Sequence, residues 1–330
     1  MIMTADSNDP VQTGEGIYMF ALLAGAAAGA GLPFQTSINA NLNKRIGSPF
    51  AASLISFSVG TAFLTVLILF IEHGISIPFR SIAGEPVWIW LGGLFGVIYL
   101  TGNILLMPRL GSVQTVVFPV LGLVIMGLFI DNFGWFRSAQ VSMSPTRLCG
   151  AALVIAGVAA VTMAKQKNAA AGTAKNKDGN DAMLWVWRLL GICTGAMSAT
   201  QIAINGHLGK VIGDPLEAAL ISFSVGTVSI FVFLLILRPK INVHSSSEVR
   251  YPWWIWIGGT IGAMYVFCSS YIAPIIGTGM AVVVVQIGQM TGSLTIDHFG
   301  LVRSARKPIT AVKVLGVVMM LIGAAVIHLL

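Results

Sequence analysis

The octapeptide LISFSVGT occupies residues 54–61 and recurs unchanged at residues 220–227. The offset between the copies is 166, and it holds far outside the octapeptide. It carries Gly25, Gly29, Gln35, Asn39 and Pro49 onto Gly191, Gly195, Gln201, Asn205 and Pro215. Further on it carries Trp88, Trp90, Gly92, Gly93, Gly96 and Tyr99 onto Trp254, Trp256, Gly258, Gly259, Gly262 and Tyr265. Pro108, Asp131, Gly134 and Gly150 find their counterparts in Pro274, Asp297, Gly300 and Gly316. Two units, residues 25–164 and 191–330, therefore align without a gap, and the chain is read as a duplicated and fused unit.

Each unit must fold in lipid. Of 330 residues, 9% are charged and 56% hydrophobic, against roughly 25% charged in soluble domains. A span of the hydrocarbon core needs about 20 apolar residues, and ten such runs can be placed. Those of the first unit are 17–39, 51–71, 87–107, 113–130 and 148–164. Those of the second are 184–205, 218–237, 253–273, 278–296 and 313–330. Tryptophans open several of them (Trp88, Trp90, Trp185, Trp187, Trp253, Trp254, Trp256), where indoles favour the headgroup level. The expected fold is an all-α integral membrane protein.

Residues 1–16 read as a polar N-terminal tail whose Asp6, Asp9 and Glu15 oppose the basic start of a secretory signal. The first apolar run is thus expected to remain. Residues 17–164 form the first five-span repeat, 165–183 a flexible basic linker without an apolar face, and 184–330 the second repeat.

Five spans is an odd number, so the two copies enter the membrane from opposite sides and the repeat is inverted. Of the 19 Lys and Arg residues, only Arg80, Arg137, Arg147 and Lys210 fall on one side. The others lie in or beside loops 1–2, 3–4, 5–6, 7–8 and 9–10, which predicts those loops in the cytoplasm and both termini outside it. The basic residues form no stripe interleaved with aromatics, which argues against nucleic acid. The three cysteines lie within apolar runs without metal spacing and are expected to be buried.

The set Gln35, Asn39, Leu42, Gly47, Pro49 and LISFSVG, then W-x-W-x-G-G-x-x-G, then Asp131, Phe133 and Gly134 resembles the YdcZ family of inner-membrane exporters. That family belongs to the drug/metabolite transporter (DMT) superfamily. The likeness runs once through each half, and the chain is similar to the family's fused two-unit form. It implies a multi-pass inner (plasma) membrane exporter of small molecules. Small multidrug-resistance members of the superfamily carry a membrane-embedded glutamate at about the place of Gln35 and Gln201, where an amide cannot exchange a proton.

Gln35 and Asn39, like Gln201 and Asn205, are four apart and share a helix face. They either line a substrate pathway between the repeats or bridge helices by hydrogen bonds. Gly92 and Gly96, with Gly258 and Gly262, are small-x-x-x-small faces suited to helix packing. Tyr99 and Tyr265 follow on those faces as pathway candidates. Gln286 and Gln289 break the repeat, since Val120 and Leu123 stand opposite them, and join the pathway set as amides that need partners. Pro119, opposite Val285, is a candidate kink. Asp131 and Asp297 at span ends read as caps or turns, and Glu217 as a charge suited to a helix start. No Asp or Glu stands well inside a span.

No H-E-x-x-H, G-x-S-x-G or phosphate-binding glycine loop occurs, and His73, His207, His244, His298 and His328 are scattered near span ends. The expectation is no enzyme, no cofactor and no metal. Two functions remain: a carrier alternating access between the repeats, or a non-transporting scaffold or assembly partner. With both repeats in one chain, a monomer would suffice.

Overall fold

The structure is a computed structural model. It describes residues 10–77, 82–170, 178–238, 252–276, 278–304, 306–307 and 309–329. Ten long helices make up the described chain. In the first half they are α1 (Pro10–Ile46), α2 (Pro49–Ile71), α3 (Leu91–Leu110), α4 (Ser112–Phe133) and α5 (Pro145–Ala170). In the second they are α6 (Asp178–Ile212), α7 (Pro215–Leu237), α8 (Gly258–Ile276), α9 (Thr278–Phe299) and α10 (Ala311–Leu329). Single 3-10 turns, Val87–Trp90 and Trp253–Trp256, lead into α3 and α8.

Among the described residues, α1, α2, α4, α6, α7 and α3 with its lead-in turn are long and apolar enough to cross a membrane. The apolar stretches of α5 and α10, Pro145–Val161 and Ala311–Ile327, are shorter. The outer surface is itself apolar. Phe70, Ile236 and Val87 are 81%, 74% and 81% exposed, an arrangement that suits lipid and would be ruinous in water.

α1 and α6 run past the ends expected from hydropathy, to Ile46 and Ile212. They stop where the sequence provides a stop. Gly47 and Gly213 take φ of 75° and 82°, a conformation open to glycine without a Cβ penalty. Next come the N-caps, Ser48 accepting from Ala51 N–H and Asp214 from Leu216 and Glu217, and then Pro49 and Pro215 at the first helical positions. α5 and α6 also reach into the 165–183 segment read as linker; residues 171–177 of it, and 1–9 of the N-terminal tail, lie outside the described residues.

The halves interlock. α1 packs on α8 and α9, α6 on α3 and α4, and the equivalent helices α2 and α7, and α5 and α10, pack on each other. Those last pairs reveal the symmetry. A Cβ added to Gly150 would meet the Gly323 carbonyl at 2.7 Å, and one on Gly157 the Gly316 carbonyl at 2.5 Å. Residue numbers rise along α5 as they fall along α10, so the two equivalents are antiparallel. Phe50 meets Phe233 and Phe57 meets Phe223, with ring centroids 4.9 and 5.0 Å apart, in the same sense on α2 and α7. The repeat is inverted, as the odd span count requires.

One expectation fails. Cys149 and Cys193 are exposed and Cys268 is only partly covered. The outside of a membrane bundle is as apolar as its core, so hydropathy cannot place a thiol on one or the other.

Candidate functional site: a cavity on the pseudo-two-fold axis

Equivalent residues that touch each other must lie on the axis relating the halves. Phe57 and Phe223 do so, and the Thr61 and Thr227 hydroxyls share a hydrogen bond of 2.9 Å. Beside them is a cavity lined by Leu32, Gln35, Phe57, Gly96, Tyr99, Leu100, Gln201, Phe223, Gly262, Tyr265 and Val266. All but Leu32 form pairs at the repeat offset, so the cavity straddles the axis. In an inverted repeat that axis lies in the membrane plane, and the cavity therefore sits at mid-bilayer. Its volume, for the centre of a water-sized sphere, is about 30 Å³, enough for about two waters. Among the described residues no charged side chain lines it.

The glycine pairs are seats for the glutamines of the opposite half. A Cβ on Gly96 would lie 2.6 Å from Gln201 Nε2, and one on Gly262 would collide with Gln35 Nε2. One turn away, Gly92 and Gly258 receive the Oδ1 atoms of Asn205 and Asn39. Each unit thus lays its Gln and Asn, four residues apart, along the Gly-x-x-x-Gly face of the other.

The two amides do different things. Gln35 and Gln201 reach the cavity, with Tyr99 and Tyr265 beside them. Asn39 and Asn205 do not; their Nδ2 groups donate to Ser56 and Ser222 Oγ at 3.1 and 3.0 Å, tying α1 to α2 and α6 to α7. In membranes such bonds contribute roughly 0.6–2 kcal/mol each. The cavity's aromatic walls, Phe57 and Phe223, were not singled out from sequence. They lie inside the repeated octapeptide, where an apolar letter in an apolar helix carries no mark of its own.

Gln286 and Gln289 are buried in α9, 1% and 5% exposed, and neither lines the axial cavity. Neither amide atom of Gln286 has a hydrogen-bond partner among the described residues. Ser112 Oγ donates to the Ser293 carbonyl across antiparallel α4 and α9, a register that sets Gln286 level with Pro119. α4 continues unbroken through Pro119, and a Cβ on Gly195 of α6 would collide with the Pro119 carbonyl.

Asp131 does more than turn the chain. Its carboxylate receives Arg147 Nη2 at 2.5 Å. Arg147, 3% exposed, also donates to the carbonyls of Val141 and Ile327 at 2.8 and 3.0 Å. The repeat held the clue, because the offset that joins Asp131 to Asp297 also joins Arg147 to Lys313. Glu217, in the first turn of α7, accepts the Ser76 N–H at 2.7 Å. His207 is not isolated either. It donates from Nε2 to Glu85, which also accepts from Arg137.

A helical bundle of two inverted repeats with a cavity on their axis has the build of a membrane transporter. The family described as "Putative inner membrane exporter, YdcZ" matches residues 20–160 and again 186–326. The chain belongs to this family, and is a multi-pass protein of the inner membrane. Among solved structures, one reported only as the crystal structure of a protein overlaps 95% of this chain and 97% of its own, with a TM-score of 0.58 and 14% identity. At that identity the likeness speaks for the fold alone. No curated protein gives a match.

Proposed function

We propose that the protein exports a compact, uncharged, ring-bearing molecule by exposing the axial cavity alternately to the two sides of the membrane. The observation that carries this reading is the pairing of the lining residues. Because the axis lies in the membrane plane, it exchanges the path leading up from the cavity with the path leading down. Opening either path asks the same rearrangement of equivalent helices, which is what alternation needs. Four aromatic rings offer flat apolar faces, and two amides offer donors and acceptors that fix orientation. Among the described lining residues there is no carboxylate to carry a proton or balance a cation.

The present cavity, about 30 Å³, is too small for such a substrate, so transport requires it to widen. Gln286 supports motion. A buried amide left unpaired is destabilised by about 1–3 kcal/mol, a penalty that a conformer giving it a partner would remove.

The test is transport in proteoliposomes across a panel of neutral aromatic, cationic and anionic small molecules, with cysteines placed singly at positions 35 and 201 after Cys149, Cys193 and Cys268 have been replaced by alanine. Neutral aromatics are expected to move, and each cysteine to react with a membrane-impermeant thiol reagent from both sides. No movement of any compound, with both cysteines unreactive from either side, would leave the scaffold reading in its place.

A further inference from the structure

The end of the bundle that carries the basic loops has a second cavity, and its walls belong to both halves. It is lined by Leu110, Val113 and Gln114 from the α3–α4 junction, Val161 of α5, Asp297 of α9, and Lys307 and Lys313 around the α9–α10 connection. Its volume on the same measure is about 40 Å³, room for two or three waters. Gln114 is 3% exposed, yet neither its Oε1 nor its Nε2 has a hydrogen-bond partner among the described residues. A buried amide aimed into a cavity and left unpaired calls for an occupant.

The surrounding chemistry specifies that occupant. Two ammonium groups and one carboxylate leave the site with one net positive charge. The lining residues Val113 and Gln114 belong to the first turn of α4, a helix of 22 residues whose N-cap, Gly111, provides no side-chain cap. Its free N–H groups and the positive end of its dipole favour an anion there. The Lys307 ammonium packs directly against Gly111, so charge and helix end converge.

The equivalent place at the other end shows what a filled version looks like. There Arg147 stands for Lys313, and its guanidinium reaches Asp131 and two backbone carbonyls at once. Val141 stands for Lys307 and Met280 for Gln114. The longer, forked side chain closes that end with protein atoms, whereas the second end has a shorter cation, an added lysine and an added amide.

We propose that this cavity is a binding site for a small monovalent anion, chloride or the carboxylate of a short organic acid. The anion would be held by Lys307, Lys313, Gln114 Nε2 and the α4 N-terminus, bridging the first half to the α9–α10 connection of the second. The site is separate from the axial cavity and does not depend on what that cavity carries.

The experiment uses the purified full-length chain in detergent. At constant ionic strength, sodium gluconate, too bulky for the cavity, is replaced stepwise by chloride, acetate or phosphate while the thermal midpoint is followed. Chloride and acetate should each raise the midpoint by a few degrees and saturate in the millimolar range. Lys307→Gln should move the half-saturation point at least tenfold, and Gln114→Leu likewise, while Arg137→Gln, at the opposite end, should respond as the wild type does. Lys307 is only partly buried, so its variant keeps the test decisive if Gln114→Leu fails to fold. A response that never saturates, or that is the same in Lys307→Gln and wild type, overturns the site; saturation by phosphate alone overturns the monoanion assignment.

Discussion

The centre of this molecule obeys its repeat and the two ends do not. Around the axis, Gln35 and Gln201, Tyr99 and Tyr265, and Phe57 and Phe223 stand in equal pairs about one cavity. At the ends, Asp131, 28% exposed, is ion-paired with Arg147, while its counterpart Asp297 and Lys313 are buried and line a second cavity. Glu85 joins His207 and Arg137 at one end, whereas Tyr251, Asn41 and Arg303 occupy the equivalent positions. On the alternating-access proposal this division has a consequence. A centre built from equal pairs gives inward- and outward-open forms nearly equal contacts, so it cannot choose between them. Any preference must come from differential contacts, and those are at the ends and along α4 and α9, where Pro119 and Gln286 face Val285 and Val120 in the alignment.

The strongest way to break the comparison is at the glycine seams, where symmetry predicts equal damage. A Cβ on Gly122 would strike the Ile192 carbonyl, and one on its counterpart Gly288 the Ala26 carbonyl. Backbone cannot swing aside as a flexible side chain can, so helices must separate. Gly122→Ala and Gly288→Ala should each lose about 3 kcal/mol or more, at or beyond the upper end of ordinary overpacking. Both should sharply reduce the monodisperse fraction in size-exclusion chromatography. Gly96→Ala, whose new methyl has the movable Gln201 amide as its nearest neighbour, should fold nearly normally. Tolerance of one seam variant but not the other would show that the scaffold is less symmetric than its contacts.

The ion-pair ends should differ instead of matching. Arg147→Met removes a guanidinium that is 4% exposed in its side chain and leaves Asp131, 28% exposed, without it. Complete burial of the stranded partner would give a loss of 3–5 kcal/mol; the partial exposure of Asp131 lowers the expectation to about 2 kcal/mol. Lys313→Met leaves the buried Asp297 with the Lys307 ammonium still lining the same cavity, and should lose about half as much. Thermal midpoints of the two variants decide this, and equal shifts would erase the distinction drawn between the ends.

How far the sequence revealed these features follows from what lipid does to pattern. The inversion was legible because an odd span count and an ungapped offset leave no alternative. The cavity was half legible. Gln35, Gln201, Tyr99 and Tyr265 stood out as polar letters in apolar runs, but Phe57 and Phe223 looked like all their neighbours. Four-residue spacing correctly put Gln35 and Asn39 on one face, but could not say that the face would divide, with Gln at the axis and Asn at a helix seam. Arg147 was concealed by its position near a span end, where a basic residue reads as topology. Gln114 lies near the start of α4, where hydropathy sees only the end of a span.

Equal effects return at the centre. Gln35→Leu and Gln201→Leu each remove one amide and its hydrogen bonds to a bound molecule, a loss of about 1.4 kcal/mol or tenfold in affinity. Stability should hardly change, because an amide in an apolar span is exchanged for an aliphatic of similar size. Once a ligand is known from the transport panel, its dissociation constants for the two variants should agree within about threefold. A tenfold loss in one with no change in the other would place the ligand off the axis and confine it to one half.

The smallest effect concerns the Glu85 cluster, which only one end possesses. The hydrogen bond from His207 is the largest influence on the Glu85 carboxyl and lowers its pKa; burial acts in the opposite sense, and the charge and hydrogen bonds of Arg137 add to the lowering. The pKa in the folded protein is therefore below the usual carboxylate value of about 4.3. A depressed carboxylate stabilises the fold fully above its unfolded pKa and loses that contribution as pH falls through the folded one. Between pH 7 and 5 the wild type should hold a thermal midpoint slightly above that of Glu85→Gln. Below about pH 4.3 the two curves should converge, since the protonated wild-type acid and the amide are then alike in charge. Parallel curves down to pH 3.5 would mean that the ion contacts of Glu85, to Arg137 Nη1 at 2.7 Å and to His207 Nε2 at 2.9 Å, contribute nothing beyond what a neutral side chain provides, and this end would then be no more firmly held than the other.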